Sequence, residues 1–312
     1  VSGGTASNAD VAGDVSIEQG GSLEGNVTLS GEDSQALSLG ADVNQAPLED
    51  LTLAQTTSGE SAAQVNLSGG DLDVDGTLTL SGGVLDAESD ETVILTNGTF
   101  ERNVESGEES HVAGRVEQTV SDNNLIVFPV GSAGSEYRPF EIALPEGTSR
   151  DLTIGHVTED PGNPGLPTEP DNEGVSIQST PGYFWTAEAN QSLSITESFE
   201  LAIRGTGLDE SNESSFRILS GAEGNDFEQV GDGTQYANSS RVADGVIDIR
   251  TVGATSAITD ETRRFTIGQP TAETAEGLQI AGQVNYPTVS DGNVVDGRAL
   301  EGVEVEATSG DV

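Results

Sequence analysis

The sequence predicts an all-β protein, and three observations support that class. Apolar residues recur at every second position in short runs almost from end to end, which is the period of a strand with one buried face. Gly, Ser, Asn and Asp separate the runs, at turns such as Gly20-Gly21 and Gly82-Gly83. The middle of the chain shows no amphipathic helix pattern. The order of the runs indicates a β-solenoid-like region, then an antiparallel β-sandwich, then the start of a third, Ig-like β module.

Residues 1–100 are expected to form the β-solenoid-like region. They contain no aromatic residue before Phe100, and the first basic residue is Arg102. Stacked coils have interiors too narrow for large rings, so this composition favours a solenoid. Because the repeat is irregular, an ordinary sandwich is the alternative. The strand-like alternations are Val15 and Ile17, Val27 and Leu29, Leu37 and Leu39, Leu51 and Leu53, Val65 and Leu67, Leu72 and Val74, Leu78 and Leu80, and Val93 to Leu95.

Residues 101–268 carry longer strand patterns, Trp185 and most of the aromatic residues, and we expect them to form an antiparallel β-sandwich. This sandwich could cap the last coil of the solenoid, whose edges would otherwise be unpaired. The loop 159–174 holds four prolines and is expected to be an exposed excursion. The predicted strands are Val112 to Val120, Leu125 to Val130, Phe140 to Leu144, Leu152 to Val157, Phe199 to Ile203, Phe216 to Leu219, Val246 to Val252, and Arg264 to Ile267.

The end of the sequence predicts a linker and a partial module. Residues 269–277 read as a linker. Residues 278–312 restart the alternation and resemble the opening strands of the Ig-like, carboxypeptidase-regulatory-like modules of secreted bacterial proteins. We expect either that the chain continues beyond Val312 or that these strands complete a sheet in a neighbouring subunit.

The charge of the chain bounds its partners. Acidic residues number 54 against 11 basic ones, all Arg, for a formal net charge of -43. Such a chain repels nucleic acid and anionic lipid, since neutralising phosphates requires basic patches. The apolar alternation argues against acidic disorder. Adaptation to high salt, which screens the carboxylates, is the favoured explanation, and an ordinary acidic secreted protein is the alternative. No stretch is apolar enough for a membrane span, and the chain has no Cys for disulfides or thiolate sites.

Several short motifs together resemble a known group of exported proteins. The sequence reads GRVEQ at Gly114–Gln118, FPVG at Phe128–Gly131, YRP at Tyr137–Pro139 and YFWT at Tyr183–Thr186. This pattern resembles a module of large secreted surface proteins of the Bacteroidetes and of their salt-loving, Salinibacter-like relatives in the Rhodothermota. The stretch Leu72–Thr96 is similar to the repeats of secreted bacterial β-helix proteins. The resemblance implies export and a structural or adhesive role, and it implies no active site.

One metal site is a candidate. Asp71, Asp73 and Asp75 form a D-x-D-x-D-G string like the start of a Ca²⁺ loop, in which alternate carboxylates converge on one cation. The twelfth position of such a loop is normally Glu and is Gly82 here. Leu72 and Val74 also alternate as a strand would, which would turn the three carboxylates to solvent. That solvated strand is the favoured reading, and calcium is the alternative; a weaker acidic turn follows at Asp86, Glu88, Asp90 and Glu91.

Catalytic chemistry finds little support in the sequence, and we expect a non-enzyme. His111 and His156 lie far apart in strand-like sequence without a nucleophile elbow beside either, and each is expected to be a half-buried strand residue. A polysaccharide-degrading β-helix is the enzyme alternative, although residues 1–101 lack the Arg or Lys base that the resemblance to such enzymes implies. Arg138 is expected to anchor a corner of the sandwich rather than to bind a ligand.

The remaining candidates bear on surface exposure and partners. The aromatic cluster Tyr183, Phe184 and Trp185 is expected in the core, with a sugar platform as the alternative. We expect an extracellular or cell-surface location, assembly with identical subunits through sheet edges and faces, and as the alternative a glycan-binding adhesin module. Candidate N-glycosylation sequons lie at Asn26, Asn66, Asn97, Asn190, Asn212 and Asn238.

Overall fold

The computed structural model confirms an all-β fold. It divides the chain into two units, Val1–Ala272 and Glu273–Val312, which are described separately. No helix is present in the described part of the chain, so none there could span a membrane. The described residues are 5–18, 22–40, 47–56, 63–87, 91–103, 110–121, 124–134, 136–161, 165–167, 169, 171, 174–191, 199–208, 215–222, 224–230, 238–243, 246–254, 258, 261–270, 285–290 and 293–299.

The strands of the first unit divide into those before and those after Ser121. The earlier strands are β1 (Thr5–Val11), β2 (Val15–Ile17), β3 (Ser22–Gly31), β4 (Gln35–Leu39), β5 (Asp50–Gln55), β6 (Gln64–Ser68), β7 (Leu72–Asp73), β8 (Thr77–Gly82), β9 (Val84–Ala87), β10 (Thr92–Leu95), β11 (Thr99–Arg102), β12 (His111–Ala113) and β13 (Arg115–Ser121). The later strands are β14 (Ile126–Phe128), β15 (Val130–Gly131), β16 (Phe140–Ala143), β17 (Ser149–Val157), β18 (Ile177–Ser179), β19 (Phe184–Ala189), β20 (Phe199–Thr206), β21 (Arg217–Ala222), β22 (Glu228–Gln229), β23 (Asn238–Ala243), β24 (Val246–Ala254) and β25 (Arg263–Pro270).

The earlier strands wind into a β-solenoid-like stack. Consecutive strands enter different parallel sheets, so the chain returns to each sheet once per coil. The first stack sheet has the order β1-β3-β5-β8-β11, and the second stack sheet has the order β2-β4-β6-β9-β12-β15. The third side begins with β7, β10 and β13.

Aliphatic columns hold the stack together. In the first stack sheet Val27, Leu51 and Leu78 lie in register on successive coils, and each is at most 1% exposed. Because parallel strands lie about 4.8 Å apart, such columns pack branched side chains directly on one another. The period-2 pattern in the sequence therefore identified the inward face correctly.

A close turn lets the chain leave the first stack sheet for the second. Gly83 has φ +78°, and a Cβ added there would lie 2.6 Å from Cβ of Gln55 on the neighbouring coil. Gln55 is itself buried and donates to Oε1 of Gln35 at 2.7 Å, so the corner contains a short glutamine ladder. Glycine is required here for both its backbone conformation and its small size.

Strand β13 belongs to the stack and to the sandwich. It pairs in parallel with β10 on one side and antiparallel with β17 on the other. The resulting long sheet runs in the order β7-β10-β13-β17-β19-β25-β21-β22, with β18 also paired to β25. Parallel pairing thus continues past the change of composition near residue 100, and the change of sheet type occurs at β13.

A second antiparallel sheet, the facing sheet, packs against the antiparallel part of the long sheet. Its order is β14-β16-β20-β24-β23. Phe140 of this sheet meets Phe265 of the long sheet edge to face, with ring centroids 5.4 Å apart, and both are fully buried. Phe140 and Phe265 therefore help to fill the wider space between these two sheets.

The proline-containing loop departs from its prediction. The carbonyl of Pro161, which is buried, accepts a 2.7 Å hydrogen bond from Arg264 Nη1, and Gly165 N donates to Asp226 Oδ1 at 2.8 Å. Leu166 and Val175 pack against a small cluster that includes Phe227. Among the described loop residues Glu159, Asp160, Gly165, Glu169 and Gly174 are exposed as expected, whereas the expectation is wrong at Pro161 and Leu166, which are tied to the long sheet.

The second unit contains one described hairpin, β26 (Asn285–Ser290) and β27 (Asn293–Ala299), which pair antiparallel. Two strands are fewer than an Ig-like module needs. The rest of the predicted module 278–312, and residues 271–277 of the predicted linker, lie outside the described residues.

Candidate functional site

Polar and aromatic side chains, all buried except the half-exposed Glu136, collect where the last coil of the stack meets the sandwich. Strand β12 supplies one member, β17 another, the segment after β15 two more, and the start of β19 the aromatic ones. These residues lie on strands of the second stack sheet and of the long sheet or directly beside such strands, and strand pairing fixes the backbone there. We call this group the junction cluster, and its members are His111, Glu136, Arg138, His156, Tyr183 and Trp185.

Arg138 is the centre of the junction cluster, and its side chain is only 5% exposed. Its Nη2 donates to Glu136 Oε2 at 2.6 Å, and its Nε donates to Thr206 Oγ1 at 2.9 Å. Its Nη1 lies 3.3 Å from Nε2 of His156. A carboxylate, a hydroxyl and an imidazole thus share the donors of one guanidinium, which is the anchoring role that the sequence predicted for Arg138.

An aromatic wall closes the other side of the guanidinium. The Cζ atom of Arg138 lies 3.6 Å from the ring centroid of Tyr183, a cation–π contact. The Tyr183 hydroxyl donates to Thr206 O at 3.0 Å, and Thr206 N donates to that hydroxyl at 2.9 Å. Burial raises the pKa of Tyr183 to about 12, so the ring stays neutral beneath the cation.

Trp185 joins the long sheet to the same segment. Its Nε1 donates to the main-chain carbonyl of Arg138 at 2.8 Å, and its ring meets that of Tyr183 edge to face at 5.6 Å. Tyr183 and Trp185 are 5% and 0% exposed, while Phe184 points elsewhere, toward Arg264. These aromatic residues belong to the core, as expected, and their burial removes the support for a sugar platform.

The two histidines come together, which the sequence did not predict. His111 and His156 lie on strands, as expected, but they are 0% and 8% exposed, so the expectation that they are half-buried is wrong. Burial lowers the pKa of His111 to about 4, and burial together with Arg138 lowers the pKa of His156 to about 3. Both imidazoles are therefore neutral near pH 7.

The FPVG and YRP motifs form the connection that creates this site. Pro129 O accepts from Val112 N at 2.7 Å, and Arg138 N donates to Val130 O at 3.0 Å, so the chain folds back on itself. At Gly131 an added Cβ would lie 2.6 Å from Cδ2 of His111 and would overlap the carbonyl of Glu136. The motifs therefore supply a glycine that lets the backbone approach His111 and Glu136, an arginine that fills the buried site, and prolines, which have no backbone N–H to satisfy.

Residues 131–134 and 136–138, which we call the strap, cover the outer face of the second stack sheet around His111, and Ser135 lies outside the described residues. On that sheet His111 pairs with Val84, and the next pair along the strands, Val112 and Leu85, faces inward. Because side chains alternate along a strand, those of His111 and Val84 point outward. Both are nevertheless fully buried. Gln64 Nε2 donates to Ala133 O at 2.6 Å at the far end of this covered area. The segment acts as a strap across the sheet, fastened at the junction cluster.

The three aspartates of the predicted calcium string lie on and beside β7. Asp71 Oδ1 accepts from Thr92 N at 2.8 Å, and Asp75 Oδ1 accepts from Asn97 Nδ2 at 3.1 Å. Asp73 Oδ1 is buried without a hydrogen-bond partner. Burial, and to a smaller extent the negative charge of Asp75, raises the pKa of Asp73. In the ranges that the structure describes, no group of three or more His, Asp and Glu side chains is placed to hold a metal ion, and the calcium site stays a prediction.

The sequons differ in accessibility. Asn26, Asn97 and Asn190 are exposed, whereas Asn66 is half-buried and donates to Gln35 O at 3.2 Å. Asn190 and Asn97 each donate to an aspartate side chain, at 2.6 and 3.1 Å. Asn212 and the side chain of Asn238 lie outside the described residues. Glycosylation stays a prediction for all six.

Fold and site together define the class: an all-β protein in which a β-solenoid-like stack continues through a shared strand into antiparallel sheets. Comparison with protein-family models, with curated proteins and with solved structures gave no match.

Proposed function

We propose that the protein is a non-catalytic structural or adhesive component of a cell surface or extracellular filament that assembles with copies of itself. The observation that carries the proposal is the long sheet, in which β13 pairs with the stack on one side and with the sandwich on the other. A continuous hydrogen-bonded sheet makes the two parts of the first unit one stiff body. Stiffness is what an extended surface component requires.

The junction cluster supports the same role. Arg138 ties the segment after β15 to Thr206 of the facing sheet, and the Tyr183 hydroxyl ties the residue before β19 to the same threonine. Trp185 ties the segment to the long sheet. Buried hydrogen-bonded groups of this kind specify one geometry for a joint, because an unsatisfied partner is costly.

Sheet edges provide the means of assembly. Among the described residues, β1 pairs only with β3 and β2 only with β4, so both stack sheets end on the same side of the stack. Edge strands present unpaired N–H and C=O groups that can pair with another chain. Such pairing depends on backbone groups and tolerates the acidic surface when salt screens it.

The composition supports a high-salt, extracellular setting. A net charge of -43 without any Lys would oppose association at low ionic strength. In roughly 1 M salt the Debye length is about 3 Å, and carboxylates on two subunits no longer repel each other strongly. Assembly should therefore depend on salt.

The test is light scattering and negative-stain imaging of the whole chain in low and in molar NaCl. We expect the particle mass to rise with protein concentration in molar salt. A globular domain fused before Val1 should prevent this rise, and the same domain fused after Val312 is the matched control. A particle of constant monomeric mass at every salt and protein concentration would refute the proposal.

A further inference from the structure

Arg138 requires His156 to be neutral. The Nη1 atom of Arg138 can only donate, so the hydrogen bond to Nε2 of His156 at 3.3 Å needs a bare nitrogen lone pair there. The tautomer that fits this contact carries the ring proton on Nδ1, a buried atom that has no hydrogen-bond partner. A second proton on Nε2 would place two donors and two positive charges against each other inside the protein.

His111 is held in the opposite tautomer. Its Nε2 lies 2.7 Å from the carbonyl oxygen of Ser132, which only accepts, so Nε2 carries the proton. Its Nδ1 is buried and has no hydrogen-bond partner. Protonation would add a buried N–H and a charge at that atom, with nothing to receive either.

The surrounding charges offer little compensation. The hydrogen bond to the Ser132 carbonyl favours a positive charge on His111, Arg102 and Arg138 oppose it, and Glu136 is the one carboxylate that favours it. Glu136 already binds Arg138 at 2.6 Å and is half exposed to solvent.

The environment of His156 is similar. Arg138 and His111 oppose its protonation, whereas the backbone of Gly131 favours it. The rings of Tyr183 and Trp185 lie 5.7 and 5.8 Å from its own ring and fill the remaining space. Neither ring brings a negative charge, because Tyr183 stays neutral and indole does not titrate.

We infer that His111 and His156 form an acid-sensitive latch: neutral, they hold the strap, residues 131–134 and 136–138, on the second stack sheet, and protonated, they release it. Release would uncover the outer face around Val84 and His111 and free the backbone of β15 from its covering turn. The chemical signal is the hydronium ion, and the responding element is the strap.

The direction of the pH effect follows from the depressed pKa values. Between pH 6.5 and about 4 for His111, and about 3 for His156, the released or unfolded state binds more protons than the latched state. The latched state therefore loses stability as the pH falls through this window and gains none from these groups above it.

The chain contains one Trp and two His, which makes the latch directly measurable. Trp185 donates to Arg138 O, so its fluorescence reports whether the strap is fastened. In molar NaCl at constant ionic strength, we expect the emission maximum to move to longer wavelength as the pH falls from 6.5 to 3. Hydrogen exchange of the strap amides, corrected for the intrinsic pH dependence of exchange, should rise several-fold over the same range.

The matched variants are His111→Gln, His156→Gln and the double variant, which has no histidine left. Both changes substitute a neutral amide, so the pH dependence of emission and of strap exchange should weaken in each single variant and fall, in the double variant, to the part that the carboxylates contribute. Surface carboxylates titrate in all four proteins and serve as the internal control. An unchanged transition in the double variant would overturn the latch.

A second measurement covers the case in which the variants do not fold. In the wild-type protein, side-chain NMR of the two imidazoles should show titration well below pH 6.5 and in step with the change of Trp185 emission. Titration near 6.5 without a change in emission, or emission that stays constant down to pH 3, would contradict the inference.

Discussion

The indole N–H of Trp185 donates to the main-chain carbonyl of Arg138 at 2.8 Å, across 47 residues of sequence. This bond fastens the connection that follows the stack to a strand of the long sheet. The guanidinium of the same arginine reaches the facing sheet through Thr206. One residue thus ties the strap to both layers of the sandwich, and substitutions around it should have large and distinguishable effects.

Replacing Arg138 with Ala should lower the free energy of unfolding by about 2–4 kcal/mol, since it removes charged hydrogen bonds and a buried cation–π contact. The measurement is urea denaturation in molar NaCl. Arg115→Ala is the control, because the Arg115–Glu188 pair is 37% and 33% exposed and such pairs contribute at most about 1 kcal/mol. Equal losses in the two variants would contradict the anchoring role.

Two glycines of the strap should respond differently to a methyl group. Gly131→Ala would press a Cβ against His111 and Glu136 and should cost about 1–3 kcal/mol. At Gly134 the nearest atom to an added Cβ is Ser132 Oγ at 3.7 Å, so Gly134→Ala should change stability by less than about 0.5 kcal/mol. The measurement is the thermal unfolding of both variants. A Gly131→Ala variant as stable as wild type would mean that the strap is loosely packed.

The ion pair between Asp171 and Arg217 is buried, with side chains 2% and 1% exposed and a distance of 2.8 Å. Asp171→Asn keeps the Oδ1 that accepts from Val175 N but removes the negative charge beside the buried guanidinium, at a cost of about 3–5 kcal/mol. Adding Arg217→Met should restore part of this loss, giving a coupling energy of about 1–3 kcal/mol in a double-mutant cycle. Strictly additive effects would argue against the pairing.

Asp73→Asn should stabilise the protein at neutral pH. Burial and Asp75 raise the pKa of Asp73, so its charged form costs stability above that pKa, and the cost disappears as the pH falls and the carboxyl protonates. The melting temperature of the variant should exceed that of wild type at pH 7, with the difference shrinking in acid.

Asp71→Asn is the control for that comparison, because an amide oxygen still accepts from Thr92 N. Repeating both measurements with Ca²⁺ and with Mg²⁺ at equal ionic strength tests the calcium string. A melting temperature raised by Ca²⁺ alone, and only when Asp73 is intact, would favour metal binding over the solvated strand.

Much of the stack could be predicted because it depends on local pattern. Alternation marks Leu51 and Leu53 as inward, and paired glycines mark the turn at Gly82-Gly83, without knowledge of what lies next to them. Pairing partners are a tertiary property, so the sequence could not show that β13 has a parallel neighbour on one side and an antiparallel one on the other.

The junction cluster was harder to predict for a similar reason. Its members stand on different strands, and neither His111 nor His156 follows a period that links it to the other. The available signal was indirect: the two histidines and the motifs around Gly131 and Arg138 all lie after the change of composition near residue 100. The anchoring role of Arg138 followed from its chemistry alone, whereas its partners Glu136 and Thr206 required the fold.

The parallel register of the coils has a consequence for the length of the molecule. Each coil adds one strand to every stack sheet and about 4.8 Å along the stacking direction, and only the last full coil contacts β17. Duplication or loss of a whole turn between β3 and β10 would therefore lengthen or shorten the stack in fixed steps while leaving its contact with the sandwich unchanged. The length of the stack and the structure of the sandwich can vary independently in such a molecule.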